Sequence, residues 1–178
     1  MCHTPKSALF LDRDGVINQR IVGGYVKNIN EFILLPHVAE VLAKLKPLFA
    51  RIIVVTNQQG VGKGLMTEAD LAIIHTEMLK KLPMIDRVYH CSALATQHHP
   101  DRKPAIGMAL RAAADFPEIS LADSLMIGDT ESDILFGKRA GMRTILFGNE
   151  TITSEIKPDF FAENWQQIAE LFANIMEK

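Results

Sequence analysis

A chain of 178 residues, 48% apolar and 22% charged, holds one domain with a substantial core and is too short for two full ones. Its formal net charge of −2 and pI near 6.3 give no electrostatic footprint for nucleic acid or an anionic membrane surface. No apolar run approaches the ~18 residues of a membrane span, residues 1–7 lack the apolar centre of a signal peptide, and Cys2 and Cys91 make no disulfide framework, so the default compartment is cytoplasm.

In chain order, a short apolar strand is expected at residues 7–11, ending abruptly in Asp12-Arg-Asp14-Gly. Residues 19–35 read as a long loop containing Gly24-Tyr25-Val26, too short to be a separate cap. A helix at 38–45 follows Pro36, and a second strand at 51–55 runs into Thr56-Asn57-Gln58. The glycine-rich stretch 60–64 completes neither nucleotide-binding template and reads as a tight connection. Thr67 and Asp70 open a helix carrying Leu71, Ile74, Met78 and Leu82. A strand at 88–91 leads to a polar loop with His98 and His99, then to Arg102-Lys103-Pro104 and a helix at 105–114. The strand at 124–127 runs into Gly128-Asp129 and a helix at 132–140 containing Asp133. A strand at 144–147 and a helix at 165–176 complete the series. Strands alternating with helices imply a doubly wound α/β domain with a mainly parallel sheet covered on both faces. Residues 1–178 are taken as that single domain, with the short loop insert at about 19–35.

In such a sheet the polar strand ends meet at one edge. Two carboxylates at the tip of a buried strand are costly unless a cation, a substrate or a proton offsets them. Asp12 can attack phosphorus as a nucleophile, and Asp14 can exchange protons with the leaving oxygen and with water. Hard oxygen ligands from Asp12-x-Asp14 and from the cluster at 128–133 suit Mg²⁺. Thr56, the Asn57 backbone N–H and the Lys103 ammonium can hold phosphoryl oxygens as charge spreads over them. Taken singly, Lys63 is a solvated loop lysine and the histidines at 37 and 75 are structural. Beside the phosphatase reading stand a phosphate-binding module without turnover and a phosphoacceptor domain. The latter would carry its aspartate on a later strand.

Asp12-x-Asp14-Gly-x-x-Asn18, Thr56-Asn57-Gln58-x-Gly60, Arg102-Lys103-Pro104 and Gly128-Asp129-x-x-x-Asp133 together resemble the haloacid dehalogenase superfamily. The likeness is greatest to its histidinol-phosphatase and heptose-bisphosphate-phosphatase branch. The resemblance spans roughly the whole chain. It implies an HAD-like Rossmannoid core with a minimal cap, and Mg²⁺-dependent hydrolysis of a small phosphorylated metabolite by a monomer or small homo-oligomer. It further implies catalytic roles for Asp12, Asp14, Thr56 and Lys103, and metal ligation by Asp12, Asp14 (through its carbonyl) and Asp129, with Asp133 in support. Asn57, Gln58, Lys63 and Arg102 are expected at the substrate. Gly24-Tyr25-Val26 and the stretch after Gln58, with Lys63 in place of the branch's arginine, favour a heptose 1,7-bisphosphate as substrate; histidinol phosphate is the alternative. The branch's zinc loop, Cys-x-His followed by Cys-x-Cys, is reduced here to Cys91, His98 and His99, so structural zinc is not expected.

Overall fold

The computed structural model describes residues 5–153 and 155–176; Cys2 and most of the 1–7 segment lie outside them. Among the described residues, β1 (Ala8–Leu11), β2 (Arg51–Asn57), β3 (Arg87–Cys91), β4 (Leu125–Gly128), β5 (Arg143–Phe147) and β6 (Phe160–Ala162) form one sheet. Their order is β3-β2-β1-β4-β5-β6, and every pairing is parallel. The helices are α1 (Val38–Leu45), α2 (Gln59–Gly62), α3 (Glu68–Lys81), α4 (Gly107–Asp115), α5 (Glu131–Arg139) and α6 (Trp165–Met176).

Both faces of the central sheet are covered, and this is why β1, β4 and residues 52–55 of β2 are apolar without interruption. All four residues of β1 are fully buried: Leu9 and Leu11 pack with the inward side chains of α1, α3 and α6, whereas Ala8 and Phe10 pack against α4 and α5. Two differences from expectation bear on the site. β2 runs on through Thr56 and Asn57, which pair with His90 and Cys91, so the second polar cluster lies on the strand rather than beyond it. β6 is an additional strand at the sheet edge, aligned with Ile145–Phe147 of β5.

α3 starts as its sequence dictates. Thr67 Oγ1 accepts from the Asp70 amide at 3.1 Å, and Asp70 Oδ2 accepts from the Thr67 amide at 2.8 Å. The segment after β1 winds about one carbonyl, that of Arg13, which accepts from the amides of Val16, Ile17 and Asn18. The Trp165 indole donates to the Val16 carbonyl at 2.8 Å and fastens α6 beneath this turn. The loop that follows is closed at its base by the amides of Gln19 and Leu35, which donate to the carbonyls of Ile33 and Ile17. Val26 and Phe32 are buried in the core, so the loop is anchored over the strand ends.

Candidate active site

Central β1 is flanked by β2 and β4, so the direction of winding reverses beside it, and at such points the carboxyl ends of strands leave a crevice. A cavity of about 180 Å³ opens there. Its walls include Asp12, Asp14, Thr56, Asn57, Lys103, Asp129 and Asp133, with Arg20 and Tyr25 contributed by the loop. The ends of β1, β2 and β4 are thereby brought together with Lys103, from the segment between β3 and α4.

Lys103 sits at the centre of the carboxylates. Its ammonium lies 2.8 Å from Asp12 Oδ1 and 2.6 Å from Asp133 Oδ1, and donates to the Val55 carbonyl at 2.7 Å. Its backbone is clasped by Asn57, whose Nδ2 donates to the Lys103 carbonyl and whose Oδ1 accepts from the Lys103 amide, both at 3.0 Å. Asp133 is fixed from its other side, with Oδ2 accepting from the Thr130 amide at 3.0 Å and the Thr130 hydroxyl at 2.6 Å in the capping box of α5. Glycine is required at two positions by close approach. A Cβ on Gly15, whose φ is +92°, would strike the Asp129 carboxylate, and one on Gly128 would strike Asp133 Cβ.

Asp12, Asp129 and Asp133 each offer a carboxylate oxygen, all within 4.8 Å of one another. Burial raises the Asp12 pKa to about 6; the Lys103 cation opposes the rise and the Asp133 charge adds to it. Burial, then the charges of Asp12 and Asp133, lift Asp129 to about 8 against Arg20 and Lys103. Burial works against the charge of Lys103, yet its two carboxylate partners outweigh it and hold the ammonium more firmly protonated than usual. Asp129 Oδ2 accepts from Arg20 at 3.1 Å, whereas its Oδ1 is buried without a hydrogen-bond partner among the described residues. An orphaned oxygen within an all-oxygen carboxylate set short of positive charge fits a hard divalent cation such as Mg²⁺. Asp133, expected as a support, is thus one of the three clustered carboxylates.

Asp14 is held in its ionised form. Burial pushes its pKa up, but the Arg13 guanidinium and hydrogen bonds from Asn18 and Gln58 prevail and hold it below the usual carboxylate range. Arg13 Nη2 reaches both Asp14 oxygens at 2.9 Å, Asn18 Nδ2 donates to Oδ1 at 2.9 Å, and Gln58 Nε2 donates to Oδ2 at 2.8 Å.

Thr56 is buried at the cavity wall, and its hydroxyl oxygen accepts from Gln58 Nε2 at 2.8 Å. Gln58, expected at the substrate, is 1% exposed, and its amide is taken up by Asp14 and Thr56. Arg102 donates to the Ala93 carbonyl at 2.9 Å. Lys63 stands 5.3 Å from the Tyr25 ring centroid, and the Tyr25 hydroxyl accepts from Gln59 at 3.1 Å. The Lys63 and Gln59 hydrogen bonds draw the phenol pKa down. In the former zinc-loop region Cys91 is buried, with Sγ 3.7 Å from His99 Nδ1, a nitrogen that also accepts from the Asp101 amide at 3.1 Å. Arg20 was not legible in the sequence, since its partner Asp129 is more than a hundred residues away.

A family model described as HAD-hydrolase-like matches residues 101–168. The D-glycero-alpha-D-manno-heptose-1,7-bisphosphate 7-phosphatase of Mycobacterium tuberculosis is 42% identical over 130 residues, covering 71% of this chain and 68% of that protein. The D-glycero-D-manno-heptose-1,7-bisphosphate 7-phosphatase of Chlorobaculum tepidum is 35% identical over 180 residues, covering 89% of this chain and 90% of its own. Among solved structures, the D,D-heptose 1,7-bisphosphate phosphatase of B. bronchiseptica, complexed with magnesium and phosphate, superposes with a TM-score of 0.83. Its identity is 27%, over 95% of this chain and 99% of its own. In sequence and in fold, the chain belongs to the haloacid dehalogenase superfamily of phosphatases, in its heptose 1,7-bisphosphate phosphatase branch.

Proposed function

We propose that the protein is a Mg²⁺-dependent phosphatase that removes the 7-phosphate of a D-glycero-D-manno-heptose 1,7-bisphosphate through an aspartyl phosphate on Asp12. The observation that carries this reading is the convergence of Asp12, Thr56, Lys103, Asp129 and Asp133 on one cavity at the carboxyl ends of β1, β2 and β4. The relatives' activity supports the choice of substrate.

Asp12, Asp129 and Asp133, with the Asp14 carbonyl, would hold the metal ion. When bound, the ion supplies Lewis-acid stabilisation of the phosphoryl oxygens. Asp12 forms a bond to phosphorus as the bond from phosphorus to the sugar oxygen breaks. Lys103, locked by Asn57, shares the charge on the equatorial oxygens, and Thr56 offers its hydroxyl there. Asp14 gives a proton to the departing oxygen and later takes one from the water that attacks phosphorus, as the bond from phosphorus to Asp12 breaks and phosphate leaves. The ionised Asp14 of the substrate-free protein is the form suited to that second step. A phosphate dianion entering the cavity raises its proton affinity, and Asp14 takes from solvent the proton it gives up in the first step. Gln58 aims Asp14 and Thr56, while the cations Lys63 and Arg102 act on Tyr25 at the cavity wall, where they would meet a distal phosphate.

The test is phosphate release from the heptose 1,7-bisphosphate and from histidinol phosphate, each with Mg²⁺ or EDTA, with ³¹P NMR of the product. A heptose 1-phosphate formed only with metal is the expected result. Preference for histidinol phosphate would overturn the substrate assignment, and release unaffected by EDTA would overturn the metal's role.

A further inference from the structure

Arg13 is fully buried with a charge that is always present, and each of its buried N–H groups needs an acceptor. Nε and Nη2 are directed to Asp14. Nη1 lies 3.2 Å from Nε2 of His75, a residue 62 positions away on α3. His75 is 8% exposed and sits on the inward face of α3 among Leu71, Ile74 and Met78, each fully buried. A polar ring on that apolar face has to be explained by what it touches. A guanidinium can only donate, so Nε2 carries the lone pair and the ring proton lies on Nδ1.

We propose that His75 is a positioning residue for proton transfer: by accepting from Arg13 it fixes the guanidinium fork, and through the fork it aims the Asp14 carboxylate. The proposal rests on the phosphatase reading, in which Asp14 moves the protons. Burial, the adjacent Arg13 charge and His90, its ring 5.6 Å away, hold the His75 pKa down at about 3 against the pull of Asp14, so the ring remains a neutral acceptor. An apolar side chain at this position would leave one N–H of a buried cation without a partner. The fork would then be free to turn, and Asp14 with it.

The kinetic test compares wild type, H75L and H75Q on an alkyl sugar phosphate, which needs its leaving oxygen protonated, and on 2,4-dinitrophenyl phosphate, which does not. kcat/KM isolates the first chemical step. H75L is expected to lose at least about 10-fold more on the alkyl ester than on the aryl ester. H75Q, which retains an acceptor near the Nε2 position, is expected to recover most of that difference. Equal losses on both esters, or none, would overturn the proposal. Long-range ¹H–¹⁵N NMR of the wild type provides a readout independent of turnover and of how well H75L folds. An Nδ1–H tautomer for His75 at pH 7 is expected, and an Nε2–H tautomer or an imidazolium would overturn the assignment. If D14N retained full kcat/KM on the alkyl ester, the phosphatase reading of Asp14 would fall, and this proposal with it, even with the tautomer as expected.

Discussion

Replacing Lys103 with methionine removes the ammonium and retains most of the side-chain volume, so the result reports on charge. The wild-type ammonium lies 2.8 Å from Asp12 and 2.6 Å from Asp133, and none of the three residues is more than 9% exposed. At an effective dielectric constant of 20 each contact is worth roughly 6 kcal/mol of Coulomb energy. Much of this is offset by desolvation of the ions, so breaking the set by deleting one partner costs about 3–5 kcal/mol. That is a large share of the ~5–15 kcal/mol that holds a domain together. The loss should depend on pH, with a definite sign. Asp12 and Asp129 already titrate near 6 and 8 in the fold, above their ordinary 3.8, and without Lys103 they rise further. A carboxyl whose pKa is raised by folding contributes stability that is whole below the unfolded value and is lost as pH climbs through the folded one. The K103M defect is therefore expected to be smaller near pH 5 than above pH 8, and Mg²⁺ should shrink it by restoring positive charge. Urea unfolding followed by far-UV circular dichroism, at pH 5 and 8.5 with EDTA or Mg²⁺, measures all four cases. A defect equal in all four would refute the electrostatic account.

Asp12→Asn should lower kcat at least about 10³-fold, measured by phosphate release, with a far-UV spectrum like that of the wild type. Gly128→Ala pushes a methyl group into Asp133; it should cost about 1–3 kcal/mol in urea unfolding and weaken Mg²⁺ binding in isothermal titration. Asn57→Ala releases both hydrogen bonds on the Lys103 backbone and should cost about 1–3 kcal/mol, with kcat falling more than KM rises in steady-state assays. Arg20→Ala leaves Asp129 Oδ2 without its guanidinium partner; titration should show Mg²⁺ binding tightened by up to about 5-fold, the range of a half-exposed ion pair.

The sequence made plain what depends on local chemistry. Five strands are visible because each is a short apolar run between polar ends, and α3 announces its start with Thr67 and Asp70. β6 escapes such a reading because its three residues are too few to show a period, with Phe161 facing outward and only the pairing with β5 defining the strand. The carboxylates and Thr56 could be picked out because motif and strand end coincide, and Lys103 by its motif alone, twelve residues past β3. Gln58 and Asn57 show where that logic stops. Both stand in a motif, but what each does depends on partners 44 and 46 residues away, Asp14 and Lys103, which sequence spacing does not reveal. Arg20 and His75 belong to the same class: one lies on a polar loop, the other on an apolar helix face, and each acquires its partner only through tertiary packing.

Asp133 serves two structures at once, closing the first turn of α5 through Thr130 while its other oxygen faces the Lys103 ammonium. The charge set around Lys103 and the first turn of α5 therefore share one side chain. Amide exchange at residues 131–133 should accordingly slow whenever the cavity fills, turning an ordinary helix end into a built-in gauge of occupancy.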